Sequence, residues 1–517
     1  MPMLGSFPIG QTPVSSRAAL LPYIPPTPYD ALIANPALER IYLLELTIEN
    51  AAGADVDLQF SSHGYRTTSD FFPPVLENPL NFGIKLFESS FLTGPSKFGS
   101  GSIKLTNCDC ALDGYLKDAS WSKYDFTVKM GAMDFAYEDF VPIFIGRIES
   151  INWDERFVNL RIRDNQVLLN DLLQHNTYAG TGGVEGTADI AGKPKPLCLG
   201  ACYNIEPVLV DPTTSLYQIH SGAIQSVDAV YFAGLLASAG TDYTVNVAAG
   251  TITLLTNPLG TVTCDVRGSS AFGGYVNSVA DITERVCVDY GPLTSANINT
   301  GAFQALNEAN SSAVGFYSGL NPTSISAVVD TLLNSIGGFW GFDRFNKLRV
   351  GIVEEPTAAV KTITTEEIIK IARITTPVPT HLSRVGYQKN WTVMNADRLA
   401  GAVSETAKSF FQQEYRFAED SDAAVETKHP INNEREILSL LAGESDATDE
   451  VTRIQALFGE DRDIYRVKCR NISHDITIGD VIQVVHDRFE LTTGQKFVVI
   501  GFTENVKQDN LDLLLWG

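Results

Sequence analysis

Alternation of apolar and polar residues with period two, repeated along the chain, sets the first constraint on its fold. Tyr42, Leu44, Leu46 and Ile48 recur at every second position, as do Tyr124, Phe126, Val128 and Met130. Val158, Leu160 and Ile162 alternate with Asn159, Arg161 and Arg163. Successive side chains of a strand point to opposite faces, so this spacing buries one face of a sheet and leaves the other wet. Val141-Pro142-Ile143-Phe144-Ile145-Gly146 is apolar on both faces, as a central strand requires. Pro142, which lacks an N–H, argues for a strand start or an edge. After Asp164, the residues Val167, Leu168, Leu169, Leu172 and Leu173 shift to helical spacing, with Asp164 or Asn165 as the cap. Residues 37–175 therefore read as a small barrel or sandwich with one attached helix.

Composition changes near residue 178, where the chain becomes rich in Gly, Ala, Thr, Val and Asn and poor in charge. Strands are predicted at 243–247, 251–255 and 261–266, separated by Ala248-Ala249-Gly250 and Asn257-Pro258-Leu259-Gly260. Residues 176–300 form an inserted β domain on this reading. Residues 301–380 read as a small α/β domain. Ser324 or Ser326 caps a helix with Val328, Val329, Leu332, Leu333 and Ile336 on its apolar face, ended by Gly337 and Gly338. A hairpin follows, from Phe339-Trp340-Gly341-Phe342 to Leu348-Arg349-Val350-Gly351-Ile352, and Thr364 with Glu367 opens a short second helix through a capping box. Residues 381–517 return to β character around one helix, at whose start Asp446, Asp449 and Glu450 suit the helix dipole. Its strands are predicted at 465–467, 481–485, 497–502 and 510–515. Residues 1–36 hold eight prolines and read as an extended arm or linker, either frayed or laid on a neighbouring subunit.

The full chain of 517 residues fits three or four domains at about 100–200 residues each. Hydrophobic residues make up 44% and charged ones 19%, which supplies buried cores and excludes wholesale disorder. Acidic residues outnumber basic ones 61 to 38, for a net charge of −23. Such a surface repels phosphate, which excludes a nucleic-acid-coating protein and a general membrane-surface binder. No apolar run is long enough for a spanning helix, so no stable membrane insertion is expected. The first residues lack the basic start and apolar core of a secretory signal. Seven cysteines in so large a chain fit reduced thiols and synthesis in a cytosol.

A search for chemistry returns negatives. In Gly180-Thr181-Gly182-Gly183-Val184-Glu185-Gly186 the last glycine of a dinucleotide fingerprint falls at Glu185, so the stretch reads as a domain junction. Neither a nucleotide-binding Gly-Lys-Ser/Thr loop, a Gly-x-Ser-x-Gly elbow nor a His-Glu-x-x-His pair occurs. Cys108/Cys110 and Cys198/Cys202 are four candidate thiolates for zinc, but 88 positions separate the pairs and neither has knuckle spacing. His63, His175, His220, His381, His429, His474 and His486 are scattered and read as surface or capping histidines. Glu419-Asp420-Ser421-Asp422 lacks the later ligands of a calcium loop and reads as a solvated loop. No catalytic, cofactor or metal residues are assigned, no cofactor is expected, and the chain is not read as an enzyme.

Four stretches carry a resemblance. The first runs from Leu105-Thr106-Asn107 and Ala111-Leu112-Asp113-Gly114-Tyr115-Leu116 through 121–131 to Phe144-Ile145-Gly146-Arg147-Ile148-Glu149. The second spans Gly192-Lys193-Pro194, Pro196-Leu197-Cys198-Leu199-Gly200, 207–211, Tyr217-Gln218, 242–245 and 250–254. The third is the helix ending at Gly337-Gly338 with Trp340-Gly341-Phe342-Asp343-Arg344. The fourth comprises 462–467, Ile478-Gly479-Asp480-Val481-Ile482 and 493–501. In this order they resemble the baseplate hub (tail-tip hub) proteins of long-tailed bacteriophages and gene transfer agents, over most of the chain after residue 100.

The resemblance implies a mainly β, multi-domain chain with some α+β structure. Two tube-type β-barrel domains, 37–175 and 381–517, would flank the inserted β domain 176–300 and the small α/β domain 301–380. It implies a structural component of the virion tail baseplate, made in a bacterial host cytoplasm. Three copies would form a ring around the genome-ejection channel, with DNA present only in transit. The implied partners are the chain itself as a homotrimer, the distal tail and tail tube proteins, a tail-tip or central fibre protein, and the tape measure protein. The alternatives are a sixfold distal tail ring protein, a virion or cell-surface glycan-binding adhesin acting through 176–300, and a cell-wall hydrolase on a β scaffold.

Overall fold

The structure, a computed structural model, describes residues 28–35, 38–87, 94–96, 99–258, 260–470 and 474–517. Most of the proline-rich stretch 1–36 lies outside the described residues. Its end does not form an extended arm: Pro28–Ala34 is a helix. Pro28 takes the first helical position, where its missing N–H costs no hydrogen bond. Leu32 is fully buried in the main core, with Tyr29 and Ile33 packed around it.

The chain is mainly β and multi-domain. Its largest sheet has 13 strands among the described residues. From one end the ladder runs Asp55–Ser61, Ile41–Glu49, Asp125–Gly131, Val141–Trp153, Phe157–Arg163, Ser100–Thr106 and Leu76–Lys85. It continues through Gln495–Asn505, Asn510–Trp516, Ile464–Arg470 and Ile368–Thr375. Val481–Val484 pairs with Gln495–Asn505 and, in parallel, with Lys361–Ile363. The first and last β segments therefore share one sheet, joined where Ile84 faces Phe502 and Phe82 faces Glu504. Ile41–Glu49 and Leu76–Lys85 have four strands between them in the ladder, yet their Cα atoms come within 8 Å. The sheet thus curls back on itself, and among the described residues no hydrogen-bonded closure into a barrel occurs.

The period-two residues do what their spacing predicts. Val158, Leu160 and Ile162 are fully buried, and so are Leu44, Ile48 and Val128. Val141–Trp153 is a central strand with Pro142 near its start, where a register shift between Val128 and Lys129 accommodates the missing donor. The helix predicted after Asp164 is a shorter 3-10 segment, Asn165–Asn170. Of its apolar side only Leu169 and Leu173 reach the core, while Leu172 stays exposed.

The inserted residues build a five-stranded sheet ordered Leu235–Leu236, Ile224–Phe232, Val262–Ser269, Leu197–Ile205 and Gly315–Ser318. A four-stranded sheet accompanies it, ordered Val208–Asp211, Leu216–Gln218, Thr251–Leu254 and Tyr243–Asn246. Between this module and the large sheet lie the helices Val279–Val288, Thr300–Ala309 and Ile325–Asn334 and the hairpin Gly338–Phe342 with Leu348–Ile352. Ser324, not Ser326, caps the third helix by accepting from Ala327 N at 3.3 Å. Gly337 closes it at φ +59°, a conformation that glycine adopts without strain.

Two predicted elements differ in the structure. Thr364 and Glu367 make the capping contacts, with Thr364 N donating to Glu367 Oε2 at 2.9 Å, yet no helix follows. The chain instead enters the edge strand Ile368–Thr375, whose isoleucines suit a sheet. Glu419-Asp420-Ser421-Asp422 is not a loop. Its first three residues end the strand Arg416–Ser421, and Asp422 caps the helix Ala423–Lys428. Arg384 on the neighbouring strand neutralises Glu419 at 2.8 Å. These strands, Thr380–Tyr387, Arg416–Ser421 and Asn433–Leu438, form a separate sheet packed on the helix Glu444–Phe458.

Candidate functional site

The residues singled out for chemistry are not brought together. Gly180–Gly186 folds into a turn closed on itself, with Gly180 N donating to Glu185 O and Gly182 N to Gly186 O, both at 2.8 Å. The amides of Gly180, Gly182, Glu185 and Gly186 are thus used within the turn, and Glu185 is bridged to Lys195 at 2.7 Å. Cys108 and Cys110 are exposed in the first β segment, whereas Cys198 and Cys202 are buried in the core of the inserted module. Burial pushes the Cys202 thiol well up, the opposite of what a metal ligand needs. Among the described residues no His, Cys, Asp and Glu side chains cluster in a way that could hold a metal ion.

Two histidines read as surface or capping residues prove to be buried, His220 and His474. His474 belongs to an ionic network that sequence spacing did not reveal. Arg344, in the turn of the Gly338–Phe342 hairpin, donates through Nη1 to Glu504 Oε2, and His474 Nδ1 meets Glu504 Oε1. Glu504 is fully buried. Burial alone would push its carboxyl up, but Arg344 and His474 outweigh that and hold it down to about 2. Arg344 also donates through Nε to Ile476 O at 3.2 Å, and its carbonyl accepts from Ile145 N at 2.7 Å. One residue of the small hairpin thus touches both outer β segments. One local signal did point here: Phe502 and Glu504 are two apart in an alternating strand, so Glu504 falls on the core face.

Around this joint further polar contacts fix the hairpin turn. Asn346 Nδ2 donates to Asp125 Oδ2 at 2.7 Å, Asn299 Nδ2 to Asp343 Oδ2 at 3.1 Å, and Arg349 pairs with Asp480 at 3.0 Å. A cavity of about 420 Å³ opens beside them, bounded by Tyr29, Ile33, Pro142, Phe345 and His474. The network is a positioning device: it locks the orientation of three chain segments, with Glu504 and Asp480 met by cations and Asp343 by amide donors.

The two ends of the large sheet are of another kind. Among the described residues Asp55–Ser61 pairs in the sheet only with Ile41–Glu49, and Ile368–Thr375 only with Ile464–Arg470. Among the described residues the outer side of each end strand has no strand partner, though Ser61 N on the first donates to Pro73 O at 2.8 Å. The first strand carries Asp55 and Asp57 and no cation, the second Lys370 and Arg373 and no acid. Ile369 and Ile374 on the second strand are 56% and 41% exposed, and each sits at a break in register with Ile464–Arg470. Asp55 is paired with Lys123 at 3.5 Å and Arg373 with Asp463 at 2.9 Å, so among the described residues Asp57 and Lys370 are the charges of the two end strands that have no ion pair.

No family model and no curated protein matches the chain. Among solved structures it is similar to the tail protein of Neisseria meningitidis MC58, at 9% identity and a TM-score of 0.39 over 92% of this chain and 96% of that one. It is similar to the same degree, 9% and 0.39, to the 43 kDa tail protein of prophage MuSo2 from Shewanella oneidensis, over 92% of this chain and 98% of that one. A chain in the virion of a native gene transfer agent particle is similar at 12% identity and a TM-score of 0.38, over 63% of this chain and 84% of that one.

Proposed function

We propose that the chain is the baseplate hub of a phage tail tip, a structural protein of which three copies close a ring around the genome channel. The ring joins the distal tail and tail tube proteins above to a tip or central fibre below, beside the tape measure protein, with DNA passing through without stable binding. The observation that carries this reading is a pair of end strands of opposite charge, on which Asp57 and Lys370 have no ion pair among the described residues. A head-to-tail contact between an acidic and a basic edge repeats around an axis and closes when the rotation permits. The same contact covers Ile369 and Ile374, which would otherwise promote aggregation. The order of the four sequence stretches supports the hub in particular, and a net charge of −23 suits a conduit that DNA must not adhere to.

The test is the mass of the purified chain in solution, followed by imaging of the assembled particle. Three copies of 56.3 kDa give about 169 kDa with a hole on the axis. Reversing the acidic edge with Asp55→Lys and Asp57→Lys dissociates the ring, and adding Lys370→Glu and Arg373→Glu restores it. A monomer at every concentration overturns the proposal, and a sixfold ring replaces it with the distal tail ring.

A further inference from the structure

One loop of the inserted module holds a bulky residue in a backbone conformation that favours glycine. Phe272 holds φ +54°, a left-handed conformation that a bulky side chain rarely adopts, and 55% of it is exposed. Gly273 and Gly274 after it are also left-handed. Arg285, itself buried, clamps the loop by donating to Gly274 O at 2.8 Å and Phe272 O at 3.2 Å. The ring stands edge-on to Tyr290, with centroids 5.3 Å apart. A strained, exposed and rigidly held aromatic ring is what a ligand-stacking position requires.

Beside that ring lies a cavity of about 240 Å³. At its wall is His220, 1% exposed, whose Nδ1 accepts from Cys198 N at 3.1 Å. Nδ1 is therefore the bare nitrogen, and the ring proton sits on Nε2. Burial draws the pKa of His220 down to about 4, which keeps this neutral tautomer at ordinary pH. Among the described residues nothing accepts from Nε2. His220 and Gly222 both line the cavity, and no side chain at position 222 stands between Nε2 and it. Ser221, Asn176 and Asp289 supply further polar groups at the rim, where Asn176 Nδ2 donates to Ser221 Oγ at 3.4 Å and Asp289 lies 3.7 Å from Arg285 Nε; the rim cation Lys195 is occupied by Glu185.

We infer that this pocket binds one pyranose unit of a glycan, its C–H face on Phe272 and its hydroxyl rim on His220 Nε2–H, Ser221 and Asp289. The cavity is smaller than the roughly 300–1,000 Å³ of sites for drug-sized ligands and suits a single ring. A sugar offers both an apolar face and hydroxyls that donate and accept, which matches an aromatic ring beside neutral donors and one carboxylate. Among the described residues the lysine and arginine nearby, Lys195 and Arg285, are each paired with a carboxylate, which disfavours phosphate. The inference stands on the loop and the pocket, and not on the ring-forming reading above.

The experiment is saturation-transfer NMR on the intact chain with the methyl glycosides of glucose, galactose, mannose and N-acetylglucosamine, and adenosine as a comparison. Transfer to the C–H protons of at least one glycoside is expected, weakened tenfold or more in Phe272→Gly and retained in Phe272→Trp. Phe272→Gly relieves the backbone strain, so that variant melts at a higher temperature while losing the ligand. Its solution mass stays that of the parent, which separates this outcome from any loss of assembly. The inference is overturned if no glycoside shows saturable binding at about 50 mM, if only adenosine binds, or if Phe272→Gly binds as well as the parent.

Discussion

Arg344 and Glu504, 160 positions apart in the chain, form an ion pair with 4% and 0% of their side chains exposed. Neither charge is placed by its own segment. The pair exists only when the hairpin turn sits between the first and last β segments, so it reports on their mutual orientation.

Removing one partner leaves a charge stranded without water. Arg344→Met is expected to cost about 3–5 kcal/mol, because Glu504 then keeps its desolvation penalty without its guanidinium partner. The double variant Arg344→Met with Glu504→Leu recovers part of that loss, since no buried carboxylate remains. Urea unfolding of the parent, both single variants and the double variant measures the coupling. A double variant as unstable as the sum of the singles would show that the pair does not interact.

Acid should loosen this joint in a definite window. Glu504 is held down to about 2 when folded and returns to the ordinary range of about 4.3 when unfolded. A depressed folded pKa means that the stabilisation is complete above the unfolded value and disappears as pH falls toward the folded one. Stability therefore drops between about pH 4.5 and pH 2, and Glu504→Gln flattens that limb while lowering stability at neutral pH. Chemical denaturation at a series of pH values reads both effects.

Asp164 should show the opposite slope. Its carboxyl is buried, and desolvation raises it to about 7 against the hydrogen bonds from Gly99 N at 2.7 Å and Gln166 N at 3.2 Å. A raised folded pKa gives stability that is complete below the unfolded value and is lost as pH rises through the folded one. Each unit between the two values is worth about 1.4 kcal/mol, so the chain weakens from about pH 4 to pH 7 through this group. Asp164→Asn removes the slope, at the cost of one of the two backbone contacts. A pH profile unchanged by that substitution would exclude Asp164 as its origin.

Legibility in the sequence depends on distance along the chain. Ile41–Glu49, Phe157–Arg163 and Ile325–Asn334 announce themselves because their burial repeats every 2 or 3.6 residues, and each is found where its period places it. The sheet Thr380–Tyr387, Arg416–Ser421 and Asn433–Leu438 is illegible, since its outer strands are charged and their neutralisation comes from Arg384 on the strand between. The Thr364–Glu367 contacts form as their spacing predicts but start no helix, because pairing with Ile464–Arg470 decides the conformation of the next residues. Arg344, Glu504, His474 and Phe272 escape for a related reason. Burial and backbone strain are properties of the folded neighbourhood, and no local pattern encodes the partner that creates them.

The junction of the inserted module rests on two glycines that face each other across a ladder, Gly200 and Gly315. A Cβ on Gly315 would lie 1.8 Å from Ala201 O, and one on Gly200 would lie 2.0 Å from Val314 O while also needing φ +65°. Both obstacles are main chain, so no rotamer change relieves them. The strand pair Leu197–Ile205 and Gly315–Ser318 must separate to admit a methyl group, which breaks the bond from Ala201 N to Val314 O at 2.9 Å. Gly315→Ala is therefore expected to destabilise the chain by more than about 1 kcal/mol. Hydrogen exchange should quicken first in Leu197–Ile205, the strand that loses its neighbour. Gly319→Ala is the control, because its Cβ would meet only the Tyr317 side chain, no nearer than 3.6 Å, and should change stability by no more than about 0.5 kcal/mol. Equal effects of the two substitutions would mean that the close approach of these strands is not what holds the module in place.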